Sequence, residues 1–180
     1  LPYDKVTELP NIAEEYRKRT GVRHIGIAPF GWENRGAWAG INYFPAYPSN
    51  DIWQKVSSSM NEQGDYIFML PSGFAWVVKR KTSNSGPAFD DSVDFEQRKG
   101  MTIHSADGKP FQCNKYGEGE AYRGMQVRLC HGSEVARKTM VDIFLKIQAL
   151  GTSVIQFDQE CGGGQDFPCY SKEHGHTPGY

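Results

Sequence analysis

The stretch Ala149-Leu-Gly-Thr-Ser-Val-Ile-Gln-Phe-Asp-Gln-Glu-Cys-Gly-Gly-Gly164 reads as a helix end, a short apolar strand and a carboxylate delivered into a glycine-rich loop. Gly151 occupies the place of a C′ residue, where tolerance of positive φ lets a helix stop cleanly. Ser153 to Phe157 follow as a strand, and Asp158 stands at its carboxyl end. Ligands of open α/β sheets gather outside the carboxyl ends of the strands, so an acid there points to proton transfer, nucleophilic attack or metal binding. One step upstream, Ser133 is placed to cap a helix from Glu134 to Leu150, with Met140, Val141, Phe144, Leu145 and Ile147 on its apolar side. Met125 to Cys130 form the regular apolar segment before it.

The same strand-loop-helix unit recurs toward the N-terminus. Pro10 to Gly21 begins with a proline, ends in bases and stops at a glycine, the order that suits a helix. Val22 to Ala28 then predict a strand closed by Pro29, and the loop beyond it carries Trp32 and Glu33. Ile41 to Phe44 form a second short apolar segment, ended by Pro45 and Pro48. Ser49-Asn50-Asp51 supply caps for a helix with Ile52, Val56 and Met60 at four-residue spacing, closed by Gly64. Tyr66 to Leu70 have the length and continuous apolarity of a strand buried on both faces. This alternation predicts a parallel sheet. Residues about 75 to 125 break the rhythm and read as a long βα-loop excursion holding a hairpin or small subdomain, a length that usually signals function or mobility.

Composition sets the outer limits. The 180 residues are 38% apolar and 13% aromatic, enough for one sizeable core, so a single domain over 1–180 is expected. The net charge is -1 and the bases are scattered, with Arg17-Lys-Arg19 and Lys79-Arg-Lys81 the only short clusters, which excludes a basic stripe for nucleic acid. No apolar run is long enough to suggest a membrane partner. The N-terminus lacks the layout of a signal peptide but also lacks an initiator Met, so location stays open, a secreted or periplasmic one included. Four cysteines fix no compartment. Cys161 and Cys169 flank a loop short enough to be bridged, or are two reduced thiols near a pocket.

If the strands at 22–28, 41–44, 66–70 and 153–157 are parallel neighbours, their carboxyl ends collect Trp32, Glu33, Tyr43, Phe44, Ser72, Phe74, Trp76, Asp158, Gln159 and Glu160 on one rim. Aromatic faces there can cover the C–H patches of a pyranose while acids, amides and histidines bind its hydroxyls, although each ring has core packing as its plain alternative. Glycoside hydrolysis needs two carboxyl groups, one to attack the anomeric carbon or activate water and one to protonate the leaving oxygen. Asp158 is the candidate for the first role, Glu33 and Glu160 for the second. Trp32, Tyr43, Phe44, Trp76 and Gln159 are the candidate substrate-binding residues. Burial and a neighbouring carboxylate would keep the acid partner protonated near neutrality.

The tail from Cys161 to His176 lacks the features of a P-loop or a dinucleotide fingerprint. Cys161, Cys169, His174 and His176 could meet at a zinc ion, yet their spacing matches no standard pair, and His174 and His176 as hydrogen-bonding groups over a substrate are the preferred reading. A Cys–His nucleophile has no recognised local motif behind it. No metal and no organic cofactor is therefore expected.

The run Leu129-Cys-His-Gly-Ser-Glu134, then Leu150 to Gln159, then Pro168-Cys-Tyr-Ser-Lys-Glu-His-Gly-His-Thr-Pro-Gly179 resembles the middle of bacterial (β/α)8-barrel glycoside hydrolases. The similarity is to glycosidase-like proteins related to the α-galactosidase and endo-α-N-acetylgalactosaminidase barrels, and Trp32-Glu33 and Tyr43-Phe44-Pro45 resemble their early barrel loops. The resemblance implies a catalytic nucleophile at Asp158, with the acid/base from a later strand than this sequence contains. A complete barrel of this type takes about 250 residues. The expected fold is thus α/β, a partial (half) TIM-type (β/α) barrel with parallel strands and a long inserted βα loop. Its open edge would call for self-association or a missing C-terminal half. The expected function is a glycoside hydrolase acting on an oligo- or polysaccharide. A carbohydrate-binding domain without catalysis and a metal-dependent hydrolase built on the Cys/His tail are the alternatives.

Overall fold

A computed structural model describes residues 3–36, 40–82, 86–112, 125–156 and 167–179. Helix α1 (Leu9–Thr20) carries Pro10 in its first turn and Arg17, Lys18 and Arg19 in its last, and Gly21 caps it with φ 74°. Helix α2 (Asn50–Glu62) begins where the Ser49 hydroxyl accepts the Ile52 N–H at 3.2 Å. Between them lies β1 (Gly26–Ile27), and after α2 comes β2 (Tyr66–Met69). Helix α4 (Glu134–Ala149), capped by Ser133, leads into β7 (Val154–Ile155). These three strands form one sheet in the order β1-β2-β7, both pairings parallel, with Gly26 opposite Tyr66 and Phe68 opposite Val154. Gly26 is required by close approach, since a Cβ there would stand 2.5 Å from the Tyr66 ring.

The fold is therefore mixed α/β with parallel strands. The strands expected at 22–28, 66–70 and 153–157 are present in shortened form. The one expected at 41–44 is not: residues 41–44 run as a loop. The backbone carbonyl of Tyr43 accepts the Asn34 N–H at 2.8 Å, and the Asn42 side-chain amide donates to Asp91 at 2.9 Å and Asp94 at 3.0 Å. The segment spends its polar groups locally and on the start of helix α3 (Ser92–Arg98) instead of on a ladder.

The core lies between the sheet and its helices. Met60 of α2, Ile67 and Met69 of β2 and Ile147 of α4 are fully enclosed, each worth about 1.5–3 kcal/mol relative to exposure. Asp65 anchors the entry to β2, accepting the Ile25 N–H at 2.9 Å and pairing with Arg17 of α1. On α4 the buried stripe is Ala136, Met140, Ile143 and Ile147. Val141 and Leu145, expected on that face, are 57% and 59% exposed and form a second strip beside it with Val135. Val154 on the edge strand β7 is also exposed.

Antiparallel pairs lie within the excursion and between it and the segment that follows. Strand β3 (Ala75–Val77) pairs with β6 (Gln126–Arg128), and β4 (Lys79–Arg80) pairs with β5 (Phe89–Asp90), which leads into α3 (Ser92–Arg98). Among the described residues no helix is long and apolar enough to cross a membrane.

Candidate functional site

Parallel pairing puts the carboxyl ends of β1, β2 and β7 on one edge of the sheet. The loop leaving β1 folds back over that edge: the Tyr47 N–H donates to the Trp32 carbonyl at 2.7 Å, and Trp32 stacks on Tyr43 with centroids 5.4 Å apart and an interplanar angle of 19°. Phe44 meets Trp32 edge-on at 5.9 Å. The Tyr43 hydroxyl accepts the Ser72 N–H at 2.7 Å, joining this loop to the one leaving β2. Glu33 is carried inside the assembly, 4% exposed. The structure thus brings Trp32, Tyr43 and Phe44 together with Ser72, with Glu33 next to Trp32 in the chain, although 41–44 is no strand.

Their packing corrects the sequence reading of the rings. Trp32, Tyr43 and Trp76 are 1%, 0% and 0% exposed, which makes them core residues rather than open platforms for a sugar. Trp76 is also displaced from the rim: it sits within β3, meets Phe95 edge-on at 5.5 Å and lies under the Arg98 guanidinium at 5.0 Å. A strand buried along its whole length encloses such a ring, and the apolar run Phe74 to Val78 was its signal in the sequence. Phe44 is partly buried and packs against the same core. Asp158, Gln159 and Glu160 lie outside the described residues, as do Cys113 and Cys161.

His174 and His176 converge on cysteines. His174 Nδ1 lies 3.4 Å from Cys169 Sγ, and His176 Nε2 lies 3.1 Å from Cys130 Sγ. Both thiols are free and buried. The sequence reading grouped Cys161 with this set and overlooked Cys130, which comes from the chain leaving β6 and shares no motif spacing with the tail. The Leu129-Cys130-His131 run was visible only as part of a family likeness. Burial, and after it the neighbouring Cys169 thiol, push the Cys130 thiol up to about 11 against the opposing N–H groups of Gly132 and Ser133. Without a metal it is a neutral thiol at physiological pH, a poor nucleophile.

No curated protein matches the chain in sequence. Solved structures do match its fold. The α-N-acetylgalactosaminidase NagBb from Bifidobacterium bifidum aligns at a TM-score of 0.62 and 18% identity, over 94% of this chain and 25% of the enzyme. The α-galactosidase TtGalA from Thermus thermophilus aligns at 0.55 and 14% identity, over 83% of this chain and 26% of that one. The maltogenic α-amylase AmyB from Thermotoga neapolitana aligns at 0.53 and 13% identity, over 84% and 34%. The chain spans about a quarter to a third of the length of these glycosidases, and at such identities the likeness is one of fold. At the level of sequence, the family described as a domain of unknown function, DUF6259, matches residues 3–180, and the chain belongs to that family.

Proposed function

We propose that the chain forms part of a glycoside hydrolase that cleaves a glycosidic bond by carboxylate catalysis, with Asp158 as nucleophile or base. The observation that carries this reading is the β1-β2-β7 parallel sheet, whose fold is similar to that of several glycosidases over most of the chain and whose last strand ends at Ile155, just before Gln-Phe-Asp158. Strand tips at one edge of a parallel sheet are where such folds do their chemistry. Glu33, buried on the loop after β1, and Glu160, close to Asp158 in sequence, are the in-chain candidates for the acid. The exposed strip of Val141 and Leu145 on α4, and the edge of β7 that is unpaired among the described residues, support the further expectation that additional polypeptide, a C-terminal portion or a second copy, completes the structure. The acid/base in that case comes from outside these residues.

Binding without catalysis is the weaker reading, because the burial of Trp32, Tyr43 and Trp76 removes the open aromatic platform that it needs. The deciding experiment screens the protein against chromogenic α-galactosides, α-N-acetylgalactosaminides and α-glucosides, then compares Asp158→Asn, Glu33→Gln and Glu160→Gln on whichever is cleaved. Release that depends on Asp158 supports the reading. Wild-type turnover by Asp158→Asn would overturn it.

A further inference from the structure

Cys130, Cys169, His174 and His176 each place one ligand atom within 4.8 Å of the other three, and we propose that they form a closed tetrahedral zinc site that pins the C-terminal segment 167–179 beside β6. Zinc lies about 2.3 Å from cysteine sulfur and 2.0–2.1 Å from histidine nitrogen, so tetrahedral ligand atoms stand about 3.3–3.8 Å apart. Of the two sulfur–nitrogen contacts, the one at 3.4 Å is at that spacing and the one at 3.1 Å is slightly inside it. The remaining separations, none above 4.8 Å, need to close by about 1.5 Å at most, within the reach of side-chain rotations.

Each imidazole is oriented by a carbonyl on its far side. His174 Nε2 lies 2.7 Å from the Gly100 carbonyl, and His176 Nδ1 lies 2.9 Å from the Thr177 carbonyl. A carbonyl only accepts, so these nitrogens carry the protons and the lone pairs belong to Nδ1 of His174 and Nε2 of His176, the atoms turned toward sulfur. Metal-ligating histidines are held in this way by their outer-shell partners. The sulfurs are provided for as well: the His104 N–H points at Cys169 Sγ from 3.4 Å, and the Gly132 N–H faces the Cys130 thiol. Such N–H donors stabilise a metal-bound thiolate. Gly132 is built for the site, since a Cβ there would lie 2.1 Å from His176 Cδ2.

The donor chemistry selects the ion. Two thiolates and two imidazoles favour zinc over calcium or magnesium, which take oxygen. Four protein ligands leave no position for an activated water, so the site is structural and does not perform metal-assisted hydrolysis. It joins Cys130 to His176 across 46 residues of sequence, and a disulfide between the two thiols would leave the convergence of both rings unexplained. The inference is independent of the glycosidase reading, because its readouts do not involve turnover.

The test is elemental analysis of the purified reduced protein, followed by replacement of zinc with cobalt(II). The expected result is one zinc per chain and the intense visible absorption of tetrahedral cobalt with thiolate charge-transfer bands. Cys169→Ser and His176→Gln should each abolish retention of stoichiometric metal, and Gly132→Ala should weaken zinc binding by about 10- to 100-fold by displacing the His176 ring. If a cysteine variant fails to fold, competition of the wild-type protein with a chromophoric chelator decides. Absence of zinc together with no tetrahedral cobalt spectrum under reducing conditions would overturn the proposal, as would a Cys130–Cys169 disulfide in the protein purified without reductant and no zinc uptake after its reduction.

Discussion

The sheet edge and the Cys/His cluster are opposite cases. At the sheet edge, residues adjacent in sequence stay adjacent in space, but their exposure reverses expectation: Trp32 and Tyr43 are sealed into the core. In the cluster, exposure matters less than convergence, since Cys130 and His176 meet from distant parts of the chain. The first region teaches that a strand-tip position does not make an aromatic ring a ligand platform. The second teaches that a ligand set can be complete without any motif spacing.

The largest effect should come from the sheet edge. If Asp158 is the catalytic carboxylate, Asp158→Asn lowers kcat/KM on order of 10²- to 10⁴-fold with little change in thermal unfolding. A loss of stability instead of activity would place it with the core residues. Next comes Trp76→Ala, for which removal of a fully enclosed ring predicts a loss of about 3–5 kcal/mol in chemical denaturation. A variant that unfolds normally but binds sugar poorly would restore the platform role.

Ser133→Ala sharpens the comparison at the cluster. The Ser133 hydroxyl accepts the Ala136 N–H at 3.4 Å, so losing the cap of α4 should cost about 1 kcal/mol, and the shift of the adjacent backbone should weaken metal retention in parallel. A stability loss with unchanged metal binding would uncouple the helix from the cluster. The smallest effect is expected from Leu145→Lys on the exposed strip of α4. In the isolated chain it should change unfolding free energy by no more than about 0.5 kcal/mol. A larger loss, or a change in sedimentation, would show that further polypeptide covers this face.

Much of the architecture was legible because helices announce their ends. Ser49 and Ser133 before apolar periodicity, and Gly21 after a basic turn, mark boundaries that the structure keeps. Ile41 to Phe44 are the exception: this apolar run looks like a strand but pairs with none among the described residues, and its polar groups are claimed by Asn34, Ser72, Asp91 and Asp94. The sequence pattern also placed Val141 and Leu145 on the wrong side of α4, because an apolar stripe of this width admits two neighbouring faces and only contact with the sheet selects one. The grouping of Trp32, Tyr43 and Phe44 was readable. Their burial was not.

The sequence by itself determined the parallel strand-helix order, the caps and the family likeness, since each depends on residues within a few positions of one another. Tertiary structure decided which rings are core, which face of α4 is covered and that Cys130 meets His176. These are matters of distance between segments far apart in the chain, and no local preference encodes them.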